Sequence, residues 1–168
     1  MVRIAALALA AAVLQACASA PPNPQIDYAA FARDVDEVGA VREARRVSED
    51  EFIRMAGEPG TVVLDARSER LFRLRHIDGA QNLPFPEFTA KTLAAAIPSP
   101  DTRVLIYCNN NFRDLPESMP VKAMASALNL STFVALHSYG YRNVYELAPV
   151  VDPANTRLAF AGDEIRAR

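Results

Sequence analysis

Apolar and polar positions along the chain follow two different periods, which predicts helices alternating with short strands. Apolar residues recur at steps of three and four between Tyr28 and Arg45, which predicts an amphipathic helix with one face on the core. Apolar runs at residues 61–64 and 104–106 indicate buried strands, and a final strand is expected at 143–147. The apolar positions of the first helix are Tyr28, Phe31, Val35, Val38 and Val41.

Capping residues and prolines divide the rest of the chain between these strands. Ser48 begins a capping box and Ser68 is a candidate N-cap, so a helix is expected after each. Helical composition also covers residues 88–97 and 121–136, and a short strand is expected at 81–83. Strands alternating with helices predict an α/β fold around a parallel sheet.

The first residues have the composition of an export signal. A basic start is followed by an apolar run from Ile4 to Leu14, which is too short to span a bilayer as a mature helix. The run ends in Leu14-Gln15-Ala16-Cys17, which resembles the lipobox of bacterial lipoproteins. Residues 1–16 are therefore predicted to be a signal peptide and Cys17 a lipidation site. Plain secretion, with cleavage after Ala20, is the alternative.

The predicted organisation is a single domain with extensions at both ends. Residues 17–26 form a proline-containing tether, 27–46 an N-terminal helical extension, 47–150 the domain and 151–168 a C-terminal tail. The expected location is the periplasm, with a lipid anchor in the outer membrane because Ala18 carries no acidic retention signal. A net charge of −2 gives no reason to expect nucleic acid as a partner.

Cys108 stands out because it directly follows the apolar run of a predicted strand. Four short polar or aromatic residues separate it from Arg113, a pattern typical of an anion-binding loop. Amides and a guanidinium around a thiolate would lower its pKa and make it a nucleophile. The alternative is a buried small hydrophobic residue, the commoner environment of a free cysteine. The only other cysteine is Cys17, so no disulfide is expected within the mature domain.

Four segments, taken in order, resemble the rhodanese-like family. They are Leu64-Asp65-Ala66-Arg67, the run from Arg75 to Pro84, Val104 to Cys108 followed by Arg113, and the run from Gly140 to Leu147. The resemblance implies a central parallel five-stranded sheet with helices on both faces. It also implies a cysteine that carries a persulfide.

The resemblance assigns roles to the loop that follows the cysteine. Cys108 would take sulfur from a donor such as thiosulfate and pass it to a thiophilic acceptor. Backbone amides of the loop would hold the donor anion, and Arg113 would close the loop electrostatically. The loop residues concerned are Asn109, Asn110, Asn111 and Phe112.

The resemblance also identifies supporting residues and departures from the family pattern. Asp65 and Arg67 are expected to be structural, and His76 to brace a turn rather than bind a metal. Phe112 would put bulk in the pocket. The chain between Cys108 and Gly140 is longer than is usual in the family, and this inserted segment, residues 114–130, would either pull the next helix away or cover the pocket. His137 is expected at the surface.

Three hypotheses for function follow. The first is sulfur transfer through a Cys108 persulfide, without a cofactor or metal, in an exported and lipid-anchored protein. Its partners would be a small sulfur-donor anion, a thiophilic acceptor or partner protein, and a membrane contacted through the anchor. The second is a catalytically inactive anion- or partner-binding module. The third is a redox-sensing thiol that forms mixed disulfides.

Overall fold

The computed structural model of the chain describes residues 21 and 23–167. The predicted signal peptide and Cys17 lie outside the described residues. The helices are α1 (Tyr28–Arg42), α2 (Glu49–Ala56), α3 (Glu69–Leu74), α4 (Ala90–Ala96), α5 (Leu128–Ser138) and α6 (Asp163–Arg166). The strands are β1 (Arg46–Val47), β2 (Thr61–Asp65), β3 (His76–Ile77), β4 (Gln81–Asn82), β5 (Arg103–Tyr107), β6 (Val144–Leu147) and β7 (Phe160–Ala161).

Five of the strands form one parallel sheet in the order β1-β6-β5-β2-β4. The α/β fold with a central parallel five-stranded sheet is thus confirmed. β3 and β7 form a separate antiparallel pair. Because β5 lies at the centre, the residue that follows it emerges in the middle of the carboxyl edge, where ligands of parallel sheets bind.

Both faces of the sheet are covered, as the apolar runs of β2 and β5 require. Val104 and Ile106 of β5 pack with α4 and α5 on one face, while Leu105 and Tyr107 pack on the other face with Phe52 of α2. The strand pleat separates these two sets because successive side chains point to opposite faces.

The N-terminal helix forms where its periodicity predicts, but its apolar face is not a core face. α1 runs over Tyr28–Arg42 and continues as a 3-10 turn over Glu43–Arg45. Only Val38 of its apolar residues is buried. The other four apolar residues are exposed, so their predicted packing in the core is wrong: Tyr28, Phe31, Val35 and Val41. The reason is that α1 lies against α5, outside the sheet layer, and reaches the core only at Val38.

The C-terminal segment, predicted as a tail with weak signals, packs on the domain. β7 pairs with β3, Leu158 is buried, and Glu164 of α6 forms an ion pair with buried Arg75 at 2.9 Å. The segment was not predictable as structure because its elements are two and four residues long. No helix in the described part of the chain is long and apolar enough to cross a membrane.

Candidate active site around Cys108

Cys108 lies at the carboxyl end of β5 and faces the start of α5. The backbone N–H groups of Asn110, Leu128 and Asn129 donate towards its sulfur. The side chain lines a cavity of about 270 Å³, although the residue is only 2% exposed. The inserted segment therefore does not pull the helix away. The first turn of α5 still points its N–H groups at the thiol, and such a helix start favours an anion at this position.

The thiol is not activated in the way that the loop pattern predicts. Burial raises the pKa of Cys108 above its ordinary value, and the three amides only partly oppose this effect. The nearby carboxylate of Glu146 raises the pKa further. The expected depressed pKa is wrong for this structure, because desolvation outweighs the local donors.

The loop amides are mostly used within the loop itself. The N–H of Asn111 donates to the carbonyl of Cys108 at 3.1 Å, and that of Phe112 donates to Asn109 at 3.2 Å. The N–H of Arg113 donates to the carbonyl of Val151. The first two bonds belong to a 3-10 turn over Asn109–Asn111. The amides of Asn111, Phe112 and Arg113 thus have backbone acceptors, so the expected cradle of free amides is smaller than the loop pattern predicts.

Asn111 holds the loop in place through its side chain. Its Oδ1 accepts from the N–H of Cys108 at 2.9 Å and from Nδ2 of Asn129 at 3.1 Å. Its Nδ2 donates to the carbonyl of Leu147 at 2.7 Å. One buried amide thus ties the cysteine loop to β6 and to the first turn of α5, a role that a side chain with both donor and acceptor can fill.

Two of the predicted site residues point away from the cavity. Phe112 is buried on the far side and packs edge-on against Tyr107 and Phe160, so it adds no bulk to the pocket. The Arg113 side chain is 58% exposed and pairs with Asp152 at 3.1 Å. The left-handed backbone of Asp114, at φ 59°, follows this outward turn. The expected placement of Arg113 beside Cys108 is therefore wrong.

Asn109 and Asn110 connect the loop to the inserted segment. Nδ2 of Asn109 donates to the carbonyl of Pro120 at 2.7 Å. Asn110 and Lys122 exchange two bonds, from Nδ2 to the Lys122 carbonyl at 2.8 Å and from the Lys122 N–H to Oδ1 at 3.0 Å. The segment is thereby held beside the thiol, and Met124 of its 3-10 turn lines the cavity.

Asp65 and Arg67 form a fully buried ion pair at the end of β2. Tyr107 donates to the Asp65 carboxylate at 2.6 Å, and Arg67 donates to the carbonyls of Ser118 and Arg75 at 2.8 Å each. Neither residue lines the Cys108 cavity. Their role is structural, because Arg67 connects the sheet to the inserted segment at Ser118 and to the residue before β3, Arg75.

The two histidines are held by neighbouring side chains. His76 stacks on Phe72 with ring centroids 3.8 Å apart, and its Nδ1 lies 2.7 Å from the Phe72 carbonyl. His137 is buried, contrary to expectation, with Nε2 2.9 Å from the Glu37 carboxylate. Asp34, Glu37 and His137 are the group of possible metal ligands among the described residues, with ligand atoms within 4.8 Å of one another, and they do not line the Cys108 cavity.

Three charged residues at the cavity were not identified from the sequence. Arg42 at the end of α1, Arg46 of β1 and Glu146 of β6 line it together with Cys108. Two of them lie in the segment predicted as a mere extension. The pairing of β1 with β6 places Arg46 opposite Glu146, and this register was not visible in a two-residue strand. The sequence did contain one signal for this site: Glu146 is a carboxylate within an otherwise mostly apolar predicted strand.

Comparison with known proteins identifies the family. The family described as "Rhodanese-like domain" matches residues 48–148, which include β2, β5, Cys108 and β6. The chain belongs to the rhodanese-like family. Membership places it among sulfurtransferase-like or sulfur-related modules. No curated protein matches the chain.

Solved structures of this fold share little sequence with the chain. A rhodanese from E. coli, solved with anions, is 21% identical, with 61% of this chain and 99% of that chain covered and a TM-score of 0.41. A rhodanese-like domain of Anabaena sp. is 15% identical, with 74% and 83% covered and a TM-score of 0.50. A variant of EanB in complex with hercynine is 17% identical, with 70% and 27% covered and a TM-score of 0.51. At these identities the similarity concerns the fold alone.

Proposed function

We propose that the protein is a sulfurtransferase or sulfur carrier that uses a persulfide on Cys108. The observation that carries this proposal is the position of the Cys108 sulfur, which lines a cavity and faces three backbone N–H groups at the strand end and the start of α5. This arrangement stabilises negative charge on sulfur in both the thiolate and the persulfide.

The proposed reaction proceeds in two displacements. The Cys108 thiol first loses its proton, and the thiolate attacks the outer sulfur of an anionic donor such as thiosulfate. The sulfur–sulfur bond of the donor breaks, and sulfite leaves with the bonding electron pair. A thiophilic acceptor, such as a thiolate or cyanide, then attacks the outer sulfur of the persulfide and releases the Cys108 thiolate. No electron is gained or lost overall.

A second candidate is a rhodanese-like module that binds an anion or a partner without turnover. The raised pKa of Cys108 and the internally bonded loop amides favour it. The two candidates differ in covalent chemistry, because only the first requires sulfur to become attached to Cys108.

Intact-mass measurement of the purified domain after incubation with thiosulfate tests the proposal. We expect a gain equal to the mass of one sulfur atom, lost again on addition of cyanide. The Cys108→Ser variant serves as the control and should gain nothing. A wild-type domain that stays at its original mass with thiosulfate and with an organic persulfide would leave the binding module as the function.

We further propose that the protein is exported and anchored to a membrane through lipid on Cys17. This part of the proposal rests on the apolar run from Ile4 to Leu14 and on the lipobox-like residues that follow. A thiol at Cys108 without an internal disulfide partner would then work in an oxidising compartment. Its burial fits that setting, because it restricts access of oxidants.

A further inference from the structure

Two arginines from outside the matched family region share one buried carboxylate in the lining of the Cys108 cavity. Arg42 contacts Glu146 through two bonds, Nε to Oε2 at 3.0 Å and Nη2 to Oε1 at 2.5 Å. Nε of Arg46 lies 3.2 Å from the same Oε1. The family match begins at residue 48, so the family supplies neither arginine.

Among the charged residues that line the cavity, two are cations and one is an anion. Two guanidinium groups contact the carboxylate of Glu146, and the side chains of Arg42 and Arg46 remain 30% and 34% exposed while that of Glu146 is 3% exposed. A second carboxylate, that of the exposed Glu43, lies 3.2 Å from Nη1 of Arg46 but does not line the cavity. Among the described residues, Nη1 of Arg42 and Nη2 of Arg46 donate to no protein acceptor. Each arginine therefore keeps N–H donors that an incoming anion could engage.

No other cation of the described residues lines this cavity. Arg113, which the family pattern assigns to the anion, pairs with Asp152 outside it. The loop amides of Asn111 and Phe112 are bonded within the loop. An anionic donor that approaches Cys108 would thus meet Arg42 and Arg46 rather than the usual loop cation.

We infer that Arg42 and Arg46 form the subsite that binds the anionic group of the sulfur donor, and that Glu146 acts as its resident counter-anion. The inference rests on the proposed function for the identity of the reaction, and it names the residues that recognise the substrate. The donor would carry negative charge, as thiosulfate or an organic persulfide with a carboxylate does. It would compete with Glu146 for the N–H groups of the two guanidinium groups. The N-terminal extension is then part of the active site.

The test compares two alkylating reagents that differ in charge. Iodoacetate is an anion and iodoacetamide is neutral, and both react with the same Cys108 thiolate, so the ratio of their rates is independent of the thiol pKa. We expect Arg42→Gln and Arg46→Gln each to lower the iodoacetate-to-iodoacetamide ratio about tenfold, as loss of a charge-assisted contact implies. We expect Glu146→Gln to raise the ratio, because it removes the competing negative charge.

Two further variants control this experiment. Arg45→Gln removes a neighbouring guanidinium that lies over the Tyr145 ring, 4.6 Å from its centroid, and does not line the cavity, so the ratio should stay at the wild-type value. Arg113→Gln should also leave it unchanged. A ratio that falls only in Arg113→Gln would overturn the inference, as would an unchanged ratio in Arg42→Gln, Arg46→Gln and Glu146→Gln.

The alkylation ratio separates this inference from the proposed function. It requires only a reactive thiol near the arginines and no sulfur transfer. A domain that shows the charge effect but never gains sulfur would retain the anion subsite and lose the transferase. The unfolded chain gives the ratio of an exposed thiol, so a Glu146→Gln ratio above both the wild-type and the unfolded values cannot result from misfolding.

Discussion

The reactivity of Cys108 depends on a competition between burial and three amide donors. Burial disfavours the thiolate, and it outweighs the N–H groups of Asn110, Leu128 and Asn129. A free thiol in this state is protonated at neutral pH. Its reaction with electrophiles should therefore accelerate as the pH rises, because only the thiolate is nucleophilic.

Alkylation of the wild-type domain by iodoacetamide against pH checks this expectation. We expect a midpoint above the ~8.5 of an unperturbed thiol, and persulfide formation should follow the same profile. The reduced, unfolded chain provides the control with an ordinary midpoint. A folded-state midpoint in the ~3.5–7.5 range of activated cysteines would mean that the amides outweigh burial.

The asparagines of the loop show how one residue type serves different purposes. Asn111 is buried and bonds to Cys108, Asn129 and β6, whereas Asn110 is bonded to the inserted segment. The run of three asparagines predicted a tight polar loop correctly. Which side chain would face inward depended on partners that are distant in the sequence.

At the scale of elements, the C-terminal β7 and α6 support the cysteine loop from behind. Phe160 of β7 packs edge-on against Phe112, with ring centroids 5.5 Å apart. The turn between β7 and α6 passes close to α3 at Gly162, which has φ 120°. A Cβ there would lie 2.5 Å from the Leu74 carbonyl oxygen and 2.8 Å from that of Arg73.

Gly162→Ala should consequently destabilise the fold, since the added methyl meets backbone that cannot move aside. Gly79→Ala is the matched control, because Gly79 has φ 80° and open space around its Cα. We expect the free energy of unfolding to fall by about 1–2 kcal/mol in the control. The loss in Gly162→Ala should exceed it by at least ~1 kcal/mol. Urea unfolding of both variants measures this, and equal losses would contradict close packing of this segment.

At the scale of the whole molecule, the proposed lipid on Cys17 would connect the domain to a membrane. The Cys17→Ser variant should be exported but no longer acylated, so the protein should move from the membrane to the soluble periplasmic fraction. The mass of the mature N-terminus identifies the cleavage site. Retention of the variant in the membrane fraction, or a mature wild-type chain that begins after Ala20, would contradict the lipobox interpretation.

The sequence by itself determined the family, the sheet and the position of the thiol. Apolar runs define buried strands because each side chain of such a strand must be removed from water on one face or the other. Capping residues at Ser48 and Ser68 predicted α2 and α3, and Ser48 and Ser68 accept from the N–H groups of Glu51 and Leu71. These signals are local, so they can be read along the chain.

Only the tertiary structure decided which residues surround the thiol. Arg113 is five positions from Cys108 and turns outward, while Arg42, Arg46 and Glu146 are distant in the sequence and lie at the cavity. Their meeting depends on the docking of α1 on α5 and on the pairing of β1 with β6. The raised pKa of Cys108 has the same origin, because burial is the sum of contacts from segments that no local pattern brings together.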